Sequence, residues 1–303
     1  MYIKEIFPRT LNEFLGNNKI RKQFYIYKNN FLRYKRIPSH ILLYGNPGLG
    51  KTTIAKILAS EMQTDFHTII GENVNKENLS DLILGIQEGD VLFVDEIHSL
   101  SKEIGNIFLP LLEEKKFLYY HPILEISIDK IIPDFMCIGA TTDIGSMSKP
   151  LLNRFQILTM DKYTVNELIK TLNLYIKDYN DNMGNVKIKI KEKIKLAQIS
   201  QFTPRTLKQL FFACIDIVIY QNKNTIDEIT LREMMWLKSI NKDGLNLDQQ
   251  KYLDFMKKVN RPIGIGAISA YLGKPQKDIE NNVEPYLLEI GSIARTQKGR
   301  IVL

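Results

Sequence analysis

The sequence predicts an α/β protein in which a parallel-sheet domain is followed by a small helical domain and by a C-terminal domain of helices that ends in a β-hairpin. Short apolar runs alternate with helical segments in the first half, at Ile41–Tyr44, Val91–Val94 and Phe135–Ile138. Such runs are typical of buried parallel strands. Strand signals fade after residue 163, and a hairpin pattern returns around Gln297–Gly299. Helices before a terminal hairpin suggest a winged helix.

Length and composition agree with this organisation. At 303 residues, a prior of about 150 residues per domain gives two domains, or three small ones. The chain is 44% hydrophobic and 25% charged, which argues against disordered, collagen-like and coiled-coil classes. We expect domains over 1–163, 164–241 and 242–303, the last beginning at the polar turn Asn241–Gly244. The net charge of +7 suits polyanion binding without requiring it.

Cysteine usage favours a protein of a reducing compartment, and the spacing of the cysteines and histidines does not indicate a zinc site. Cys137 and Cys214 lie among apolar neighbours, and we expect buried thiols. The longest apolar stretch, Leu210–Tyr220, is far shorter than the roughly 20 residues that span a bilayer, and the N-terminus has no signal-peptide pattern. We therefore expect a cytoplasmic protein. The histidines have no spaced metal-binding partner, and we expect them in packing or surface roles: His40, His67, His98 and His121.

A phosphate-binding loop is the strongest single motif. Residues 45–52 match G-x-x-x-x-G-K-[ST] in full between a strand and a helix, so that free backbone N–H groups would converge on phosphate. Lys51 would contact the β and γ phosphates, and the Thr52 hydroxyl would bind Mg²⁺. An ordinary turn would explain the glycines but not the Lys-Thr pair. The predicted nucleotide-binding residues are Gly45, Asn46, Pro47, Gly48, Leu49, Gly50, Lys51, Thr52 and Thr53.

Two further strand ends carry polar groups. Asp95 and Glu96 follow an apolar strand, where acids are often only helix caps. Beside a phosphate loop, however, Asp95 would hold Mg²⁺ and Glu96 would activate the attacking water, which indicates a hydrolase. Thr142 ends another strand and would help to position that water. If its segment stood alone, a threonine that simply ends a strand would be the favoured interpretation.

The conjunction of motifs resembles the AAA+ ATPases, and more specifically the RuvB family of bacterial branch-migration motors. The AAA+ segments occur in the family's order: ILLYGNPGLGKTT at 41–53, VDEIHSL at 94–100, IGATTD at 138–143 and PLLNRF at 150–155. The RuvB-like segments are TLNEFLG at 10–16, Thr203-Pro204-Arg205 and the C-terminal VEPYLL at 283–288. The resemblance covers nearly the whole chain.

This resemblance implies roles for further residues. Arg154 would be an arginine finger that reaches a neighbouring subunit's nucleotide, and Arg205 would be the sensor-2 arginine on the same chain. The alternatives are a surface salt bridge for Arg154 and an ordinary helix N-terminal residue for Arg205. Residues 7–16 and 41–43 would line the adenine pocket.

The resemblance also implies cofactors and partners. We expect ATP and Mg²⁺, an oligomeric and hexameric ring, Holliday junction DNA as the substrate in recombination and repair, a resolvase, and a RuvA-like protein that docks on residues 113–133. That segment departs from the family pattern. Its apolar residues would form a docking tip or belong to the core: Phe117, Leu118, Tyr119 and Ile123. Leu152 stands where the family usually has an arginine, so only Arg154 is left as the finger.

Basic residues at the terminal hairpin predict DNA contacts. Arg295, Lys298 and Arg300 would contact phosphates without reading bases, although a solvated basic tail has the same pattern. Two other functions stay open at this point. One is a clamp-loader-like ATPase, and the other is a DNA-binding regulator that uses ATP only as a structural ligand.

Overall fold

A computed structural model describes residues 8–121 and 126–303. The chain forms two compact units, of which the first ends at Tyr163 and the second begins at Thr164. Within the described residues, no helix combines the length and the apolar character needed to cross a membrane. Both cysteines are buried, as predicted. Burial raises the pKa of Cys214 to about 12 and that of Cys137 well above its ordinary value.

The first unit contains a parallel sheet of five strands within the described residues. In chain order the strands of this sheet are β1 (Ile41–Tyr44), β2 (Phe66–Ile70), β3 (Val91–Asp95), β6 (Met136–Thr141) and β7 (Gln156–Thr159). Their order across the sheet is β2-β3-β6-β1-β7, and every adjacent pair is parallel. The three strands predicted from the sequence are confirmed. The two that the sequence analysis did not identify, β2 and β7, lie at the edges and carry exposed side chains.

Helices and a separate hairpin surround this sheet. The helices are α1 (Asn18–Tyr34), α2 (Lys51–Met62), α3 (Lys76–Gly85), α4 (Lys102–Glu114) and α5 (Lys149–Leu152), with a 3-10 turn at Ile97–Ser99. The hairpin pairs β4 (Lys116–His121) with β5 (Ile126–Ile131) in antiparallel register.

The structure selects between the two interpretations of Phe117 in this hairpin. Phe117, considered as part of an exposed docking tip, is fully buried in a core cluster that includes Phe108 and Leu111. It is therefore the core strand residue that the alternative interpretation described. Leu118 and Tyr119 lie on β4, and Ile123 lies outside the described residues.

The second unit begins with a helical segment. Its elements are α6 (Val165–Asn182), α7 (Ile190–Ile199), α8 (Pro204–Tyr220) and α9 (Glu228–Leu237), with a short parallel pair of β8 (Lys187–Ile188) and β9 (Thr225–Ile226). A capping box starts α6, because the Thr164 hydroxyl accepts from the Glu167 N–H while the Glu167 carboxylate accepts from the Thr164 N–H.

The rest of the second unit is a winged helix. Its helices are α10 (Leu247–Val259), α11 (Ile265–Leu272), α12 (Gln276–Asp278) and α13 (Glu284–Glu289), followed by the hairpin of β10 (Ile293–Thr296) and β11 (Gly299–Val302). Ile263 pairs with Arg300 through two backbone hydrogen bonds of 2.9 and 2.8 Å, which adds a third, short segment to the hairpin. A π-helical turn at Ile279–Val283 separates α12 from α13. Pro285 lies just beyond this turn and has no N–H to continue a helical ladder.

A buried carboxylate fastens the hairpin to the helices. Glu284 is fully buried and accepts hydrogen bonds from the Tyr252 hydroxyl at 2.8 Å, Arg295 Nε at 2.7 Å and Arg300 Nε at 2.9 Å. Arg300 also pairs with Glu280, a residue with a more exposed side chain. Because an isolated buried charge is costly, Glu284 and its partners stabilise the domain only as a complete set.

We predict that Glu284→Ala lowers the free energy of unfolding by about 3 to 5 kcal/mol, because it leaves Arg300 and the Tyr252 hydroxyl without their acceptor. Glu280→Ala removes a partly exposed partner of the same arginine, and should cost about 1 kcal/mol or less. Urea denaturation followed by far-ultraviolet circular dichroism measures both. Equal losses for the two variants would contradict this account of Glu284.

Candidate functional site

The parallel sheet gathers the predicted polar groups at one edge. Because β6 lies between β1 and β3 and all three are parallel, their carboxyl ends share that edge. The phosphate loop follows β1, Asp95 and Glu96 end β3, and Thr142 follows β6. Crevices outside the carboxyl ends of parallel strands are where α/β proteins bind ligands.

The loop after β1 has the backbone that phosphate binding requires. Gly48 and Gly50 adopt the left-handed region, at φ of 83° and 96°, which only glycine adopts without strain. A Cβ at Gly50 would lie 3.0 Å from the Phe14 ring. Leu49 is buried, which anchors the loop in the core. The chain therefore makes a tight turn directly before α2, with free N–H groups at the helix N-terminus.

Lys51 and Thr52 have complementary positions at the start of α2. Lys51 is buried, and its Nζ donates to the Gly45 carbonyl at 2.7 Å and to the Asn46 carbonyl at 3.2 Å. Its ammonium group is thus held within the loop. Thr52 is exposed, so its hydroxyl is accessible to a ligand.

The Glu96 carboxylate is held by neighbours from two strand ends. Thr142 Oγ1 donates to Glu96 Oε2 at 3.3 Å, and His98 Nδ1 lies 3.3 Å from the same oxygen. His98 Nδ1 also lies 3.0 Å from Thr141 Oγ1. Glu96 itself has a left-handed backbone, with φ of 46°, a conformation that costs a non-glycine residue energy and that clusters at functional sites.

A close backbone contact supports this conformation. The Gly71 N–H donates to the Asp95 carbonyl at 2.8 Å. A Cβ at Gly71 would lie 2.4 Å from the Glu96 carbonyl oxygen. Glycine is therefore required at position 71 by close approach of another chain segment. Asp95 Oδ1 accepts from the Glu96 N–H at 3.1 Å, which orients the aspartate carboxylate.

The structure identifies two residues that contact predicted site residues and that sequence analysis missed. His98, expected in a packing or surface role, contacts Glu96. Glu113 forms an ion pair with Arg154, the predicted finger. For His98, the signal available in the sequence is its spacing of two residues after Glu96, across a short turn.

The remaining predicted residues lie in several places. Residues 41–43 are fully buried core residues of β1, so their side chains do not line an open pocket, contrary to the expectation for adenine. Of the segment 7–16, Phe7 lies outside the described residues, whereas Phe14 packs beside Gly50. Leu152 packs against the core cluster. Arg205 is exposed in the first turn of α8, in the second unit, and its sensor role stays a prediction.

The hairpin cations differ in their surroundings. Arg295 and Arg300 both pair with Glu284, and only 14% of the Arg300 side chain is exposed. Lys298 is exposed at the turn and has no ion pair within the described part of the chain. Arg300 therefore has a structural function in β11, whereas Lys298 is accessible to a partner.

This combination defines the class of protein. A phosphate loop after β1, an acidic pair after β3 and a polar residue after β6, together at one edge of a parallel sheet, are the elements of a P-loop nucleoside triphosphatase. Comparison with known proteins then gives the family. Residues 6–160 match the family model of the Holliday junction DNA helicase RuvB P-loop domain, and residues 242–302 match the RuvB C-terminal winged helix domain. The chain belongs to the RuvB family.

Individual relatives agree with this assignment. The chain is 34% identical to the Holliday junction branch migration complex subunit RuvB of Ehrlichia ruminantium (strain Gardel), over 97% of this chain and 89% of that protein. It is 36% identical to the same subunit of Phytoplasma mali, over 98% and 90%. The solved structure of the Thermotoga maritima RuvB Holliday junction branch migration motor matches with a TM-score of 0.87 at 31% identity, covering 99% of this chain and 96% of that one.

We predict that Gly71→Ala lowers both stability and ATP hydrolysis. The added Cβ must displace the Glu96 backbone, and forced shifts of this kind cost about 1 to 3 kcal/mol. Gly105→Ala is the control, because that helical glycine has open space around its Cβ position, and alanine should stabilise it by about 0.5 to 1 kcal/mol. Thermal denaturation and a phosphate-release assay measure the two effects. Unchanged hydrolysis in Gly71→Ala would contradict the proposed contact between residue 71 and the catalytic strand end.

Proposed function

We propose that this chain is an ATP-driven motor that moves Holliday junction branch points in recombination and repair. The observation that carries the proposal is the presence, on one chain similar to RuvB over nearly its whole length, of a hydrolysis site and a winged helix. A clamp-loader-like ATPase would share the first feature without the second. A regulator that only binds ATP would not need Glu96 held in place by Thr142.

The residues present fit a nucleotide with a divalent metal. The glycine loop leaves no room for side chains beside its backbone at Gly45, where a Cβ would lie 2.9 Å from the Met160 carbonyl. Thr52 and Asp95 supply a hydroxyl and a carboxylate, which are the hard oxygen donors that Mg²⁺ prefers. Bound Mg²⁺ would neutralise charge on the β and γ phosphates.

Side chains and backbone groups of the protein bind the phosphates and activate the attacking water. Lys51 binds the phosphates as a point charge, and the backbone N–H groups at the start of α2 orient them. Glu96 aligns the attacking water and accepts its proton, while the Thr142 hydroxyl holds the carboxylate in its orientation. Arg154 approaches the γ phosphate of a neighbouring subunit within a hexameric ring, and Arg205 keeps its predicted role as the sensor-2 arginine.

DNA contact follows from exposed charge on the hairpin. Lys298 and the exposed part of Arg295 are the two cations that can approach phosphates, whereas Arg300 is largely enclosed. Such contacts are sequence-tolerant and salt-sensitive, as a translocating motor requires. A RuvA-like partner would dock on the hairpin of residues 113–133 through residues other than the buried Phe117.

Branch migration of a synthetic four-way junction tests this function directly. With ATP, Mg²⁺ and a RuvA partner, the protein should convert the junction to duplex products, and Glu96→Gln should bind ATP with similar affinity but lose the conversion. The reason is that the amide cannot accept the proton of the attacking water. Failure of the unaltered protein under these conditions would overturn the proposal, and full activity of Glu96→Gln would overturn the role of Glu96.

A mixing experiment tests whether the finger acts in trans. Arg154→Ala and Lys51→Ala should each be inactive alone, because one lacks the finger and the other lacks the phosphate-binding ammonium. In an equal mixture, about a quarter of the head-to-tail interfaces join an intact loop to an intact finger, so partial ATPase activity should return. Mass photometry verifies that the mixture assembles. An assembled mixture without recovered activity would contradict action in trans.

A further inference from the structure

The guanidinium of Arg154 is held by a carboxylate of its own chain. Arg154 Nη2 donates to Glu113 Oε2 at 2.5 Å. About one third of the Arg154 side chain and one half of the Glu113 side chain are exposed, at 34% and 52%. This charge-assisted hydrogen bond restricts a side chain that otherwise has many rotamers.

Among the described residues, Glu113 engages one nitrogen of the guanidinium. Arg154 Nε is buried and has no hydrogen-bond partner in the described part of the chain. Nη1 makes no ion pair among those residues either. Glu113 is thus the one carboxylate that fixes the group within the described residues, and it does so through a single nitrogen. Because Nε is enclosed, Nη1 is the nitrogen whose N–H groups remain for a second acceptor.

Glu113 connects two elements of the first unit. It lies in the last turn of α4, three residues before β4 and the hairpin begin, whereas Arg154 follows α5. Both helices contribute to one core, with Leu111 of α4 and Leu151 of α5 in the same buried cluster. The pair therefore joins the end of a core-anchored helix to the residue that would act on a neighbouring subunit.

We propose that Glu113 is a positioning residue for the arginine finger: the structure joins its carboxylate to Arg154, holding the guanidinium oriented for a neighbouring subunit's nucleotide. This inference rests on the proposed function, because it requires that Arg154 acts in trans. An arginine side chain that a neighbouring carboxylate already holds in place does not have to reorient when it stabilises the charge of the transition state. Without Glu113 the side chain samples many orientations, and the chemical step slows while ATP binding persists.

The test places Glu113→Ala on one chosen subunit of a mixed ring. Lys51→Ala subunits donate the finger, and Arg154→Ala subunits supply the competent loop, so their mixture gives the reference ATPase activity. Adding Glu113→Ala to the Lys51→Ala subunit should lower the recovered kcat about tenfold, because small misplacements of a catalytic group have effects of this order or larger. The KM for ATP should stay unchanged. Adding it to the Arg154→Ala subunit should change nothing, because Glu113 has already lost its partner there.

Glu103→Ala is the matched control on the finger-donating subunit. Glu103 lies on the same helix and pairs with Lys76 at the surface, with 66% of its side chain exposed. Alanine is a good helix former at both positions, and circular dichroism verifies folding. The control should leave the recovered activity at the reference value.

The outcomes distinguish the positioning role of Glu113 from the action of Arg154 in trans. Recovery in the reference mixture together with a loss confined to the finger-donating subunit supports positioning by Glu113. Equal loss on both subunits, or no loss on either, would overturn positioning by Glu113. A faster rate would also overturn it, because the contact with Glu113 would then hold Arg154 away from the nucleotide. No recovery in an assembled reference mixture overturns the action of Arg154 in trans, and the role of Glu113 falls with it.

Discussion

Parallel pairing of β1, β6 and β3 is the constraint on which the candidate site depends. Antiparallel neighbours would send alternate strand ends to opposite edges of the sheet, whereas three parallel strands bring their ends together. The residues that follow these strands are far apart in sequence, yet the sheet brings Thr142 within hydrogen-bonding distance of Glu96. The buried apolar side chains of these strands maintain this pairing and therefore determine the position of the polar groups, although these apolar side chains take no part in the chemistry themselves.

Local strain at the same edge needs support from outside the strand. Glu96 adopts a left-handed backbone, which costs about 1 to 3 kcal/mol for such a residue and persists only when its surroundings enforce it. The Gly71 backbone packs against the Glu96 carbonyl and donates to Asp95, and the Thr142 hydroxyl holds the carboxylate. The end of β2 thus helps to fix β3, which explains why an edge strand without a clear hydrophobic pattern matters to the site.

Sequence alone predicted the features that depend on short-range patterns. The phosphate loop is contiguous, and the central strands are apolar throughout because the sheet buries both of their faces. The edge strands β2 and β7 were missed since exposed side chains interrupt that pattern. Phe117 was ambiguous because an apolar residue looks the same in a core and at a docking tip. The contact between Glu113 and Arg154 joins residues 41 positions apart, and no local pattern encodes it.

The sequence pattern does not show which of the basic residues are already paired in the folded chain. Arg295, Lys298 and Arg300 lie within six residues and looked equivalent as DNA contacts, yet a single buried carboxylate, Glu284, separates them into two partly or largely occupied cations and an exposed one. The same principle applies to Arg154, where a carboxylate engages one nitrogen and leaves the others unpaired among the described residues. Arg300 pairs through two nitrogens with two carboxylates and stabilises the hairpin, whereas the role proposed for Arg154 uses the part of the guanidinium that Glu113 does not engage. Only the folded chain determines which nitrogens of an arginine a carboxylate occupies, so cations that look equivalent in the sequence have different surroundings in the structure.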